Sequence, residues 1–183
     1  MNQHLRKNAV LSGIAVLLVA QVANADKGFS IGISGVRSSA DFSSVGLDTS
    51  GDITGRRIFG NYMFNDTFGL EAGLSDYGGP SASDRPPGQE IERESMDVHA
   101  IANYSVSEKF SVFGKAGVVE TRDSVEVDEQ NLASSSSTDL SLALGGEYDL
   151  FKRFAIRGEY QWVDGQDSGA TDILSLSGIF RFR

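Results

Sequence analysis

"EYDLFKRFAIRGEYQW", residues 147–162, sets Glu147, Arg157 and Glu159 among Leu150, Phe154, Ile156, Tyr160 and Trp162. The charges stand at odd numbers and the large apolar groups at even ones. A chain of period two turns successive side chains to opposite faces, so this stretch is a hairpin with one ionic and one apolar face. What each face meets decides the fold.

The chain has 183 residues, and its start has the form of an export signal: Arg6 and Lys7, an apolar run over 9–20, then Ala23-Asn24-Ala25 as a cleavage site. The run is too short to span a membrane comfortably. Removal of residues 1–25 leaves 183 − 25 = 158 residues, 26–183, enough for one domain. It also takes away two cations and no acid, moving the formal charge from −9 to −11. So acidic an exported chain is a poor partner for nucleic acid. It has no cysteine, so disulfides cannot staple it, and no later apolar run is long enough for a helical span.

Beyond Asp26 the period is two. Residues 28–37, 53–64, 67–77, 91–104, 110–127, 138–150, 154–163 and 173–182 read as eight strands. Connections are short at 65–66, 107–109 and 151–153, and long at 42–52, 78–90, 128–137 and 164–171. Alternating short turns and long loops describe an antiparallel up-and-down meander that is all β.

The short turns repeat. "NYMFNDTFGL", "NYSVSEKFSV" and "EYDLFKRFAI" each place a tyrosine six residues before a phenylalanine: Tyr62 and Phe68, Tyr104 and Phe110, Tyr148 and Phe154. Cross-strand packing in any hairpin would account for one such pair. Three at the same parity suggest an aromatic girdle, which Phe29, Phe180 and Phe182 complete. From Phe154 to Trp162 a strand tilted near 40° covers roughly 23 Å, which puts Trp162 at the far edge of an apolar band.

Alternation alone does not say which face is inside, because a lipocalin-like soluble barrel alternates too. The apolar face is simple and lipid-like, as in Phe68, Leu70, Ala72 and Leu74. The other face mixes glycine and serine with Arg57, Glu71, Asp97, Lys115, Glu147, Arg157 and Glu159, which can pair across a narrow interior. An eight-stranded transmembrane barrel with its charges inside satisfies both, and closure leaves no unpaired edge in the membrane.

"FGNYMFNDTFGLEAGL", "GGEYDLFKRFAIRGEYQW" and the closing "LSLSGIFRFR" resemble the OmpA-like eight-stranded outer-membrane barrels over essentially the whole mature length. The resemblance implies the outer membrane of a Gram-negative bacterium, with outer-membrane lipids and lipopolysaccharide around the barrel. It implies a salt-bridged interior plug, onto whose positions Glu71, Glu147 and Arg157 map. A lysine of that plug is replaced by Ile101, and Lys115 and Arg181 share the inward parity needed to substitute for it. Phe180 and Phe182 stand where the barrel-assembly machinery reads the family's insertion signal. The sequence ends at Arg183, so the peptidoglycan-binding domain of larger relatives is not expected.

Catalysis finds little support in the local sequence. His99 is the one histidine after residue 25, its parity is inward, and "SMDVHAIAN" offers no serine two residues away on the same face. His99 therefore reads as a hydrogen-bonded lumen filler. No cysteine or phosphate loop is present, so no cofactor and no metal are expected. The acids Asp123, Glu126, Asp128 and Glu129 read as a solvated loop rather than a divalent-cation site. "GGPSASDRPPGQEIERE" and the low-complexity "NLASSSSTD" are where an extracellular ligand would bind, though neither names one.

Two functions remain: a structural or surface-interaction barrel with its long loops outward, and a narrow low-conductance channel. Eight strands enclose little more than their own side chains, which favours the first. The intact mass of the membrane-extracted protein is expected to correspond to a chain starting at Asp26; a mass retaining residues 1–25 would make that segment an anchor.

Overall fold

The computed structural model describes residues 28–41, 50–77, 89–127, 130–164 and 171–182. The expected export signal, and most of the loops 42–52, 78–90 and 164–171, lie outside them. The strands are β1 (Phe29–Asp41), β2 (Ser50–Met63), β3 (Phe68–Tyr77), β4 (Gln89–Ser105), β5 (Phe110–Val127), β6 (Gln130–Phe151), β7 (Phe154–Asp164) and β8 (Thr171–Arg181). Each pairs antiparallel with the next, and β8 pairs with β1 to close a barrel.

The register sets its dimensions. A line through paired residues from Phe29 passes Tyr62, Leu70, Ala100, Ala116, Leu142, Trp162 and Asp172, and returns to β1 at Ser39, ten residues further on. Eight strands with that stagger tilt about 40° and wrap a cylinder of radius about 8 Å. An interior of that width must be filled by side chains.

The alternation survives intact. Ile33, Ile58, Leu70, Leu142, Leu174 and Leu176 point outward and are exposed, while Arg57, Glu71, Asp97, His99, Lys115, Glu147, Arg157 and Glu159 are buried inside. With the stagger taken into account, Phe29, Tyr62, Phe68, Tyr104, Phe110, Tyr148, Phe154, Phe180 and Phe182 lie within about 6 Å of one level at the turn end. Phe180 is the hub of one stretch of this belt, with ring centroids 5.1 Å from Phe154 and 5.0 Å from Phe182, and Phe182 is 5.6 Å from Phe29. Outward charges first occur about 18–24 Å higher, at Arg37, Arg56, Asp76, Glu94, Glu120, Asp164 and Asp172. Trp162 lies on that upper edge.

Two expectations need correction. The segment 128–137 is not a loop for most of its length, because β6 begins at Gln130 and pairs with β5 as far as Val127. A serine run carries no alternation signal, yet its backbone completes a ladder as well as any other. The inward face is not uniformly polar either. Val36, Tyr77, Val119, Val163 and Ile173 form a buried apolar cluster at the loop end, and Phe59, Ala155 and Ile179 form another.

Large inward side chains need space beside them, and glycine on the neighbouring strand supplies it. A Cβ on Gly73 would stand 2.5 Å from the Arg57 guanidinium, and one on Gly117 would strike the Val98 carbonyl and the His99 backbone. The second clash is with backbone and cannot be relieved by a rotamer change. Gly158, facing outward, has open space around its missing Cβ. Gly117→Ala should therefore lower the unfolding free energy in lipid by about 1–3 kcal/mol, the usual cost of overpacking. Gly158→Ala should leave it within about 0.5 kcal/mol, as for substitutions away from packed features, and equal effects would refute the close approach at Gly117.

Candidate functional site

The lumen is organised around Glu71, carried inward by β3 and fully buried. Three cations from three other strands reach it. Lys115 on β5 donates from Nζ to Oε1 at 2.7 Å, Arg57 on β2 donates from Nη2 to the same oxygen at 3.0 Å, and Arg157 on β7 donates from Nη1 to Oε2 at 2.5 Å.

Each cation then has a second acid. Arg57 grips Asp97 with two bonds, from Nε at 3.0 Å and from Nη2 at 2.5 Å. Lys115 Nζ stands 2.7 Å from Glu159. Arg157 donates from Nε to Glu147 Oε2 at 2.9 Å, and Arg181 bridges Glu147 to Asp149, the latter at 2.5 Å. The result is one continuous chain of alternating charge running from the turn end to mid-barrel. Such pairing is what makes buried ions tolerable, since removing one partner strands the other in a low-dielectric interior.

Aromatic rings fill the gaps between the cations. The Arg57 guanidinium lies 4.8 Å from the Phe59 ring centre, and that of Arg157 lies 4.6 Å from Phe113 and 5.2 Å from Phe59. Faces of this kind attract cations and pack against them without competing for their hydrogen bonds.

Asp97 also links the ion chain to a neutral one. His99 Nδ1 is 3.0 Å from Asp97 Oδ1, and its Nε2 is 3.1 Å from Ser141 Oγ. Gln161 Nε2 donates to that same hydroxyl at 2.8 Å. One assignment consistent with all three contacts has Nδ1–H donating to Asp97 and the Ser141 hydroxyl donating to Nε2 while accepting from Gln161. Asp, His and Ser thus do align, with the serine arriving from β6 rather than from the strand of His99. Ser141 is 1% exposed, so the hydroxyl has no open approach.

The eight lumen residues named from the sequence are therefore brought into one bonded assembly. Sequence reasoning missed Asp149, Ser141, Gln161, Phe59 and Phe113, although all share the inward parity. It also missed the loop-end layer of Val36, Tyr77, Val119, Val163 and Ile173, where an inward apolar residue toward the loop side of β1, β3, β5, β7 and β8 was the available signal. At the turn end a cavity of about 590 Å³ opens onto Glu147, Asp149, Arg157 and Arg181. Among the described residues no cluster suited to a metal ion occurs.

Comparison with known proteins follows the same line. The chain is 28% identical over 179 residues to outer membrane protein P5 of Haemophilus influenzae, covering 84% of this chain and 49% of that one. It thus spans about half the length of the curated relatives it matches. Among solved structures it resembles Ail, the attachment invasion locus protein of Yersinia pestis, with TM-score 0.60 and 19% identity over 85% of this chain and 97% of that one. Neisserial surface protein A gives TM-score 0.65 and 16% identity over 84% and 96%. At such identities these likenesses speak for the fold. The profile described as outer membrane protein beta-barrel domain matches residues 9–182, and the chain belongs to that family, as an OmpA-like eight-stranded barrel of the Gram-negative outer membrane.

Proposed function

We propose that the barrel is a structural and surface-interaction protein whose lumen is closed to ions, rather than a channel. The observation that carries this reading is a double seal. The Glu71-centred ion chain fills mid-barrel, and the layer of Val36, Tyr77, Val119, Val163 and Ile173 covers it on the loop side. A hydrated ion entering from the turn-end cavity meets neutralised charges first and an apolar layer beyond them. Passage would require breaking buried pairs and then wetting that layer.

The outward surface fits the same reading. Lipid and lipopolysaccharide surround such barrels, and the aromatic belt at the turn end and Trp162 at the other edge stand where interfaces anchor these rings. Phe180 and Phe182, at the closing strand, are the side chains offered to the assembly machinery. The Asp97–His99–Ser141 chain serves as packing that orients Asp97 toward Arg57, not as a catalytic array. Ligands of the barrel are left to its outward-facing strand ends and loops.

Planar-bilayer recording of the purified protein tests this directly. The parent should stay near baseline, and Arg157→Ala should raise cation conductance at least tenfold by leaving Glu71 and Glu147 short of a partner. It should also destabilise the barrel, by less than the roughly 3–5 kcal/mol typical of a broken buried pair, because water enters from the turn-end cavity. A large steady conductance in the parent, unchanged by Arg157→Ala, would give the channel reading its place.

A further inference from the structure

β6 outlasts its neighbour. Its pairing with β7 starts at Leu140, opposite Asp164, yet β6 runs back a further ten residues to Gln130. Over that length β5 covers one side. On the other side, among the described residues, no strand pairs with it, and β7 and β8 are joined by only six residues. Leu140 is outward and exposed, and beyond it the outward Ser136 and Thr138 are polar and exposed too. The free stretch therefore stands above the apolar band.

The direction of its backbone groups follows from one bond. Asp149 N–H donates to the Lys109 carbonyl, on the β5 side. Alternate residues of an antiparallel strand face alternate neighbours, and the register runs unbroken from Tyr148 to Ala133. Odd residues of β6 thus bond β5, while Ser134, Ser136 and Thr138 turn N–H and C=O toward the side where, among the described residues, no strand pairs with them. Exposed edges are usually blunted by lysine or proline. Residues 130–138, "QNLASSSST", contain neither and carry no charge.

We propose that this edge is a docking site for an extended, basic polypeptide segment, added as a further strand. The proposal rests on the surface-interaction reading and names the partner's chemistry. Main-chain bonds to an edge supply affinity without demanding a particular sequence. Charge supplies the preference. The neighbouring strand ends, residues 89–94 and 120–127, carry Glu90, Glu92, Glu94, Glu120, Asp123 and Glu126 against Arg93 and Arg122. A cationic strand is attracted to such a sheet and an acidic one repelled.

The test uses the full chain in nanodiscs of zwitterionic lipid and two labelled, end-capped dodecapeptides, one alternating lysine with threonine and one alternating lysine with proline. Both carry the same charge, but only the first can form a ladder. The parent should bind the lysine–threonine peptide at least tenfold more tightly, more weakly at high salt, and with slowed amide exchange at Ser134, Ser136 and Thr138. The double variant Ser134→Pro, Ser136→Pro removes edge donors that β5 does not use. It should lose the preference while keeping the heat-modifiable mobility of a folded barrel.

Equal binding of both peptides would reduce the attraction to charge alone and overturn edge pairing. So would unchanged exchange at the three amides in the parent, a readout that does not depend on the variant folding. Slowed exchange in peptide-free samples, with dimers that cross-link through β6, would assign the edge to a second copy of the chain and overturn the basic-segment proposal. Conductance of the same preparation separates the two readings: a silent barrel that ignores the peptides loses only this inference.

Discussion

Glu71 is a carboxylate taken wholly out of water in the middle of a membrane-spanning barrel, and it is held there by Lys115, Arg57 and Arg157. An isolated ion in that position would cost several kcal/mol or more. Three cations around two oxygens more than offset its charge, and the surplus is absorbed by Asp97, Glu159 and Glu147. No member can be removed without leaving a neighbour underpaired. The four strands that carry these groups to Glu71, β2, β3, β5 and β7, are thereby fixed relative to one another across the lumen as well as along their ladders.

The size of the barrel dictates why ions are used in this way. Lipid forbids an open edge, so the sheet closes, and a radius of about 8 Å leaves room for one layer of side chains from each wall. Arginine and lysine reach the axis where shorter side chains would leave voids. Glycines at 73 and 117 yield the space that Arg57 and His99 occupy. The rings of Phe59 and Phe113 lie close against the guanidinium groups. Ions occupy the middle, an apolar layer the loop end, and a cavity the turn end, so the two faces of the membrane are not equivalent for this lumen. On the proposed reading of a closed interior, the strand ends and the outer wall are the surfaces available for interaction.

Most of the fold was legible in the sequence because its determinant is local. Period-two alternation, the tyrosine–phenylalanine spacing at three turns and the odd-numbered charges of residues 147–159 all survive in the structure. The serine run at 134–137 misled because strand pairing there depends on β5 and not on side-chain pattern. Parity was enough to gather Arg57, Glu71, Asp97, Lys115, Glu147, Arg157 and Glu159 on one face. It could not rank them: nothing local distinguishes Glu71 from Glu159, and the central place of Glu71 comes from the stagger that brings β2, β5 and β7 to one height. The bond between His99 and Ser141 crosses 42 residues of sequence and likewise has no local signature.

The central claim is that Glu71 holds the lumen together through its cations. The direct measurement is a double-mutant cycle on reversible unfolding in lipid vesicles, with Glu71→Gln, Lys115→Met and the pair. Glu71→Gln alone should lower stability by about 3–5 kcal/mol, because it strands buried cations. The two changes together should cost less than their sum by at least about 1 kcal/mol, the coupling expected of residues in one bonded network. Unaltered stability in Glu71→Gln, with the two changes simply additive, would contradict the account.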